Sequence, residues 1–265
     1  MDNQVVLTAF LLTLFAGLST GIGSLIALIA KRTNTNFLSF ALGLSAGVMI
    51  YVSFMEMLPK ALEMLSESFG EKIANLYMLL ALFGGIAFFA LIDFLVPKSS
   101  NPHEMHGVEE MKKNKLRLKH TGIITALTIG IHNFPEGIAT FMTAINSLEV
   151  AIPITVAIAI HNIPEGIAVA VPIYHATGSR KKAFWLSFSS GLAEPVGAII
   201  AYLFLIRFWN PVLDALILAI IAGVMIYISL DELLPSAEKY GKHHLSIIGL
   251  VTGMVIMAVS LYLFI

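Results

Sequence analysis

The chain has 265 residues, 57% of them hydrophobic and 12% charged, with a mean hydropathy of +0.86; soluble domains carry about 25% charged residues, so this one cannot coat a globule of its size with water-facing side chains. A net charge of −1 gives no bulk attraction to nucleic acid, and the absence of cysteine excludes disulfides, thiolate metal sites and cysteine nucleophiles together. The composition is that of an integral membrane protein whose surroundings are the lipid bilayer.

Eight mostly apolar runs of about the length needed to cross a bilayer lie near residues 5–30, 37–58, 74–96, 121–145, 150–174, 183–208, 212–234 and 244–265. The expected fold class is an all-α membrane protein, one polytopic domain of eight transmembrane helices. Run 1 has no basic stretch before it and is too long for a signal-peptide core, so it reads as a retained span. The segments after runs 1, 3, 5 and 7 hold 13 of the 16 Lys and Arg residues, whereas the other side has Lys60, Lys72 and Arg207. By the positive-inside rule the basic loops are cytoplasmic and both termini extracytoplasmic. The longest loop, 97–120, carries His103, His106 and His120; its basic half follows from that sorting, and the three imidazoles could also collect a metal on the cytoplasmic side.

Two internal repeats run through this pattern. In runs 4 and 5, Ile131-His-Asn-Phe-Pro-Glu-Gly-Ile-Ala139 recurs as Ile160-His-Asn-Ile-Pro-Glu-Gly-Ile-Ala168, eight of nine residues the same. In runs 2 and 7, the segment from Ala46 to Ala61 recurs from Ala222 to Ala237 with 11 of 16 the same. The separations are one run and five runs, both odd, so each copy crosses in the direction opposite to its twin. That is an inverted-topology repeat, which in secondary transporters places the substrate at the midplane. An offset of five relates runs 1–3 to runs 6–8 around a central pair, a 3+2+3 arrangement.

On a helix, His132 and Glu136 are i and i+4, and Asn133 and Glu136 are i and i+3, so all three share a face. His161, Asn162 and Glu165 repeat the set. Two imidazoles, two amide oxygens and four carboxylate oxygens suit borderline divalent ions such as Zn(II), Fe(II), Mn(II) or Co(II), and without sulfur ligands do not favour Cu(I). Glu136, Glu165 and the lone Glu194 of run 6 together cost about 8 kcal/mol to place at the bilayer centre. A divalent cation would compensate them. Glu56 in run 2 and Asp231 with Glu232 in run 7 occupy matching repeat positions, one in the outer and one in the inner half, and read as entrance and exit. Pro59, Pro135, Pro164, Pro195 and Pro235 each lie within three residues of such an acid. Broken helix is expected there, with freed carbonyls and acids lining one polar path.

These motifs resemble the ZIP family of metal transporters, and in particular its prokaryotic broad-specificity zinc-uptake branch. The resemblance rests on His132-Asn-Phe-Pro-Glu-Gly137, His161-Asn-Ile-Pro-Glu-Gly166, Gly191-Leu-Ala-Glu194, Glu56-Met-Leu-Pro59 and Asp231-Glu-Leu-Leu-Pro235, and on eight spans with termini outside; it covers essentially the whole chain. It implies a two-metal centre on runs 4, 5 and 6. One ion would take His132, Glu136, His161 and Glu165; the other would take Asn133, Glu136, Asn162, Glu165 and Glu194. It also implies a homodimer in the cytoplasmic membrane of a prokaryote, and transport by moving a bundle containing runs 4 and 5 against the rest. Position 231 is His in some relatives and Asp here. The expected function is uptake of divalent metal, zinc leading, with Fe(II), Mn(II), Co(II) and Cd(II) also suited, no cofactor beyond the ion carried and no enzymatic activity. The competing readings are an intramembrane metalloenzyme, whose His-Glu-x-x-His signature is absent, and a metal-gated channel or sensor.

Overall fold

The structure, a computed structural model, describes residues 2–29, 35–95, 115–240 and 243–264, and every regular element among them is helical. In chain order these are α1 (Asn3–Ile29), α2 (Thr35–Val52), α3 (Leu58–Phe69), α4 (Glu71–Leu95), α5 (Lys115–Asn146), α6 (Leu148–Thr177), α7 (Arg180–Gly191), α8 (Ala193–Ile200), α9 (Pro211–Ile228), α10 (Leu234–Tyr240) and α11 (His243–Phe264). Among the described residues seven stretches are long and apolar enough to cross a bilayer: Asn3–Ile26, Asn36–Phe69, Glu71–Phe94, Leu148–Val171, Arg180–Phe208, Pro211–Glu238 and His243–Leu263. The eighth, α5, has 32 residues and is diluted by the polar motif at its middle. The molecule is apolar outside as well as inside: Leu80 and Phe94 are 62% and 80% exposed, which a soluble protein would not leave on a helix facing water.

Helix boundaries depart from the apolar runs where amphipathic turns extend them. The second rod continues to Phe69 because Leu58, Ala61 and Leu65 fall on one buried stripe while Glu63 and Glu67 face out. Helix α5 starts at Lys115, so the end of the 97–120 segment is helical rather than loop. His103 and His106 lie outside the described residues.

The prolines do not break the helices as expected. Helices α5 and α6 run straight through Pro135 and Pro164, since one missing N–H leaves the flanking bonds in place and neighbouring helices hold the rod. Before Pro59 and Pro235 the helix widens instead. Leu58 N–H reaches back five residues to the Ser53 carbonyl, and Leu234 N–H likewise to Ser229, each a π-turn of the kind that absorbs an interrupted ladder. A break is seen only near Pro195, where Leu192 separates α7 from α8. The hairpin between α5 and α6 turns at Ser147, whose side chain accepts from Val150 N–H, and Asn146 Nδ2 ties it to Asp214 Oδ2 of α9 at 2.8 Å.

Two bundles emerge from the packing. In one, α1 packs on α6 and α7, and α5 on α7 and α8; in the other, α2 packs on α11 and α4 on α9. They meet where α2 packs on α6 and α9 on α5. Within the bundles helices touch backbone to backbone. A methyl on either Gly17 or Gly191 would strike the other's carbonyl oxygen, a separation that only small residues permit.

Candidate metal centre

The midpoints of α5 and α6 face each other, and all seven central residues predicted as ligands are buried: His132, Asn133, Glu136, His161, Asn162, Glu165 and Glu194 are each no more than 2% exposed. The copies of the motif interlock crosswise. His132 Nε2 lies 3.1 Å from Glu165 Oε2, and His161 Nε2 lies 3.5 Å from Glu136 Oε2, the second too long for a good hydrogen bond. Each imidazole of one helix thus faces the carboxylate of the other.

The asparagines are oriented by the helices flanking this pair. Asn162 Nδ2 donates to the Ala16 carbonyl of α1 at 3.0 Å and to Glu194 Oε1, while Asn133 Nδ2 donates to the Ser190 carbonyl of α7 at 3.3 Å. With both amide nitrogens engaged by backbone, both Oδ1 atoms are left over. Among the described residues Asn133 Oδ1, Asn162 Oδ1, both oxygens of Glu136, Glu165 Oε1 and Glu194 Oε2 have no hydrogen-bond partner. Leaving a buried acceptor unsatisfied costs about 1–3 kcal/mol, and more when it is charged. Six such oxygens gathered from three helices are a set that a cation could satisfy. Among the described residues no three His, Asp or Glu side chains converge on one point at metal-ligand distance; one imidazole–carboxylate pair is in hydrogen-bond contact and the other lies just beyond it, and a cation would enter by displacing these pairings.

The glycines that end each motif bring in the outer helices. A Cβ on Gly137 would sit on the backbone of Glu194, and one on Gly166 on the Thr20 carbonyl. The duplicated Pro-Glu-Gly carried this signal in the sequence: a glycine one residue past a ligand marks a backbone held against it.

The outlying acids separate. Glu232 is 4% exposed and lines a small enclosed cavity with His132, Glu165, Ser236 and Ile129. A second cavity on the Glu136 side is walled by Val52, Met57, Ile154, Ile158 and Met225. Glu56 sits half-buried in the π-turn Ser53–Met57 and lines neither cavity. Asp231 is not brought to the centre either. It shares the Tyr227 hydroxyl with Asp93 and is partly buried, whereas Glu232 beside it is buried.

The family described as "ZIP Zinc transporter" matches this chain over residues 3–104 and 95–261. The chain is 57% identical over 263 residues to "Zinc transporter ZupT" of Streptococcus mutans, an alignment covering 99% of this chain and 100% of that protein. It is 58% identical over 268 residues to "Zinc transporter ZupT" of Lysinibacillus sphaericus, covering 99% of each, and 56% identical over 281 residues to the protein so named from Clostridium perfringens, covering 100% and 98%. Duplicated motif, helical membrane architecture and full-length similarity agree, and the chain belongs to the ZIP zinc transporter family.

Proposed function

We propose that this protein takes up divalent transition-metal ions, zinc foremost and Fe(II), Mn(II), Co(II) and Cd(II) in addition, across the inner membrane of a bacterium, through a two-metal centre built by α5, α6 and α8. The observation that carries this reading is the six unpartnered carboxylate and amide oxygens gathered around two crossed His–Glu pairs in the middle of the bundle. One ion would be held by His132, Glu136, His161 and Glu165, and the other by Asn133, Asn162 and Glu194 with the two motif glutamates shared. The full-length relatives named as zinc transporters support zinc as the leading substrate.

The test is flux through the purified protein in sealed vesicles. Zinc entry should saturate with concentration and should proceed with no hydrolysis of membrane peptides. Entry that rises linearly with concentration would favour a channel, and peptide hydrolysis without entry a metalloenzyme.

The 3+2+3 inverted repeat with both termini outside is part of this proposal. Its supports are the lysine and arginine distribution, 13 residues against 3, and the mirrored packing, in which α1 on α6 is matched by α8 on α5, and α2 on α11 by α9 on α4. Motion of the α1, α5, α6, α7–α8 bundle against the other is supported by where backbones interlock: Gly17 and Gly191 join helices within the first bundle, and Gly47 on the Leu250 carbonyl and Gly223 on the Leu82 carbonyl join helices within the second. The outward faces of α4 and α11, rich in exposed leucine, valine and phenylalanine, offer a surface for a homodimer.

Glu56 is assigned to the outer approach and Glu232 to the exit, the latter supported by the cavity that Glu232 shares with His132 and Glu165. Replacing Glu232 with Gln should therefore slow uptake several-fold in vesicles while leaving zinc affinity at the centre near its original value. An equal loss of affinity would place Glu232 among the ligands instead.

A further inference from the structure

Buried hydroxyls on these helices commonly donate to the carbonyl one turn back: Thr13 to Ala9 at 3.0 Å, Ser24 to Thr20 at 3.1 Å, Ser229 to Met225 at 2.7 Å. Thr20 of α1 does not. It is 0% exposed, and its Oγ1 has no partner among the described residues. The carbonyl it would use, that of Ala16, already accepts from Ser19 Oγ and from Asn162 Nδ2.

The register of the helices says what Thr20 corresponds to. Gly23 packs on the Ile163 carbonyl and Gly197 on the Phe134 carbonyl, and Ile163 and Phe134 hold the same place in the duplicated motif. Gly23 and Gly197 are thus equivalent, 174 positions apart in the numbering. The same interval separates Gly17 from Gly191, which face each other, and Ala16 from Ser190, whose carbonyls receive Asn162 and Asn133. It also separates Thr20 from Glu194, and the backbone contacts agree: the Thr20 carbonyl lies against Gly166 as the Glu194 carbonyl lies against Gly137. Thr20 holds in α1 the place that Glu194 holds in α8.

Glu194 reaches across to Asn162. Thr20 is two atoms shorter and makes no such bond to Asn133, whose Oδ1 has no partner among the described residues. We infer that Thr20 is a positioning residue of the metal centre, its hydroxyl holding a water ligand of the second ion at the place opposite Glu194. This rests on the two-metal reading above. A neutral hydroxyl here keeps the centre at three carboxylates for two dications, where strict symmetry would supply four and hold the ions too tightly to release.

The test is zinc titration of the purified full-length protein by calorimetry, alongside thermal unfolding without metal. The original protein should bind two ions. Thr20→Val, close in volume and lacking the hydroxyl, should weaken the second ion about 10-fold, the scale on which outer partners of metal sites act. Its metal-free thermal stability should be unchanged or raised, since an unsatisfied hydroxyl is removed. Thr20→Ser should restore the affinity, which a role in packing alone would not bring about. Thr20→Val binding both ions as the original does would overturn the inference and leave the two-metal reading intact. If the original protein binds a single ion, or binds zinc with an affinity that Glu136→Gln does not change, the two-metal reading fails and the inference with it.

Discussion

Glu136→Gln is expected to abolish zinc uptake in reconstituted vesicles while the protein stays folded. Neither oxygen of Glu136 has a hydrogen-bond partner among the described residues, so in the metal-free protein its charge is buried without full compensation, and an amide of the same size relieves that cost. With metal the sign reverses, because the glutamate is assigned to both ions. Even outer partners of a metal site are worth 10–100-fold in affinity, so loss of a bridging carboxylate should reduce uptake by at least about 100-fold. His132→Ala should lose uptake as severely but behave differently in stability. It strips Glu165 of its 3.1 Å partner and leaves a buried carboxylate uncompensated, a change that costs about 3–5 kcal/mol. Uptake and melting curves measured together therefore distinguish the two variants. Both carrying zinc at the original rate would remove the site assignment.

The difference between these two glutamates could not be read from the sequence. The duplicated motif made Glu136 and Glu165 equivalent, and eight of nine identical residues gave no reason to separate them. The structure separates them through the unlike helices outside the pair, which leave one imidazole–carboxylate contact at 3.1 Å and stretch the other to 3.5 Å. The buried cluster at the middle of the bundle was legible because a membrane makes buried charge expensive and so makes each intramembrane acid or imidazole conspicuous. Thr20 and Asp231 show the limits. A single threonine in an apolar helix carries no such signal, and its equivalence to Glu194 rests on a register that only helix contacts reveal. Asp231 looked like a partner of Glu232 by adjacency, yet neighbours on a helix point about 100° apart, and of the two only Glu232 is buried. Prolines misled for a related reason: their cost to an isolated helix is local, whereas the response, straight passage, widening or break, depends on what packs around them.

Gly137→Ala is expected to damage both stability and transport, although in an isolated helix alanine is favoured over glycine by about 1 kcal/mol. The added methyl would meet backbone atoms of Glu194, including its Cα at 2.5 Å, and backbone cannot turn aside as a flexible side chain can. Overpacking of this kind costs about 1–3 kcal/mol, more than the helix gains, and the relief available is to push α8 away from α5. That movement carries Glu194 out of reach of Asn162, so zinc affinity should fall about 10-fold or more, in the range seen when support for a metal ligand is lost. Gly130 is the control. It lies on the same helix, and a methyl there would have the Ser190 Cα at 3.9 Å as its neighbour, an ordinary contact, so Gly130→Ala should melt at or above the original temperature and carry zinc normally. Unfolding and uptake measured on the pair decide the matter: equal behaviour of the two variants would mean that α5 and α8 are not in backbone contact at the metal centre, and that Glu194 is placed by something other than the glycine after Glu136.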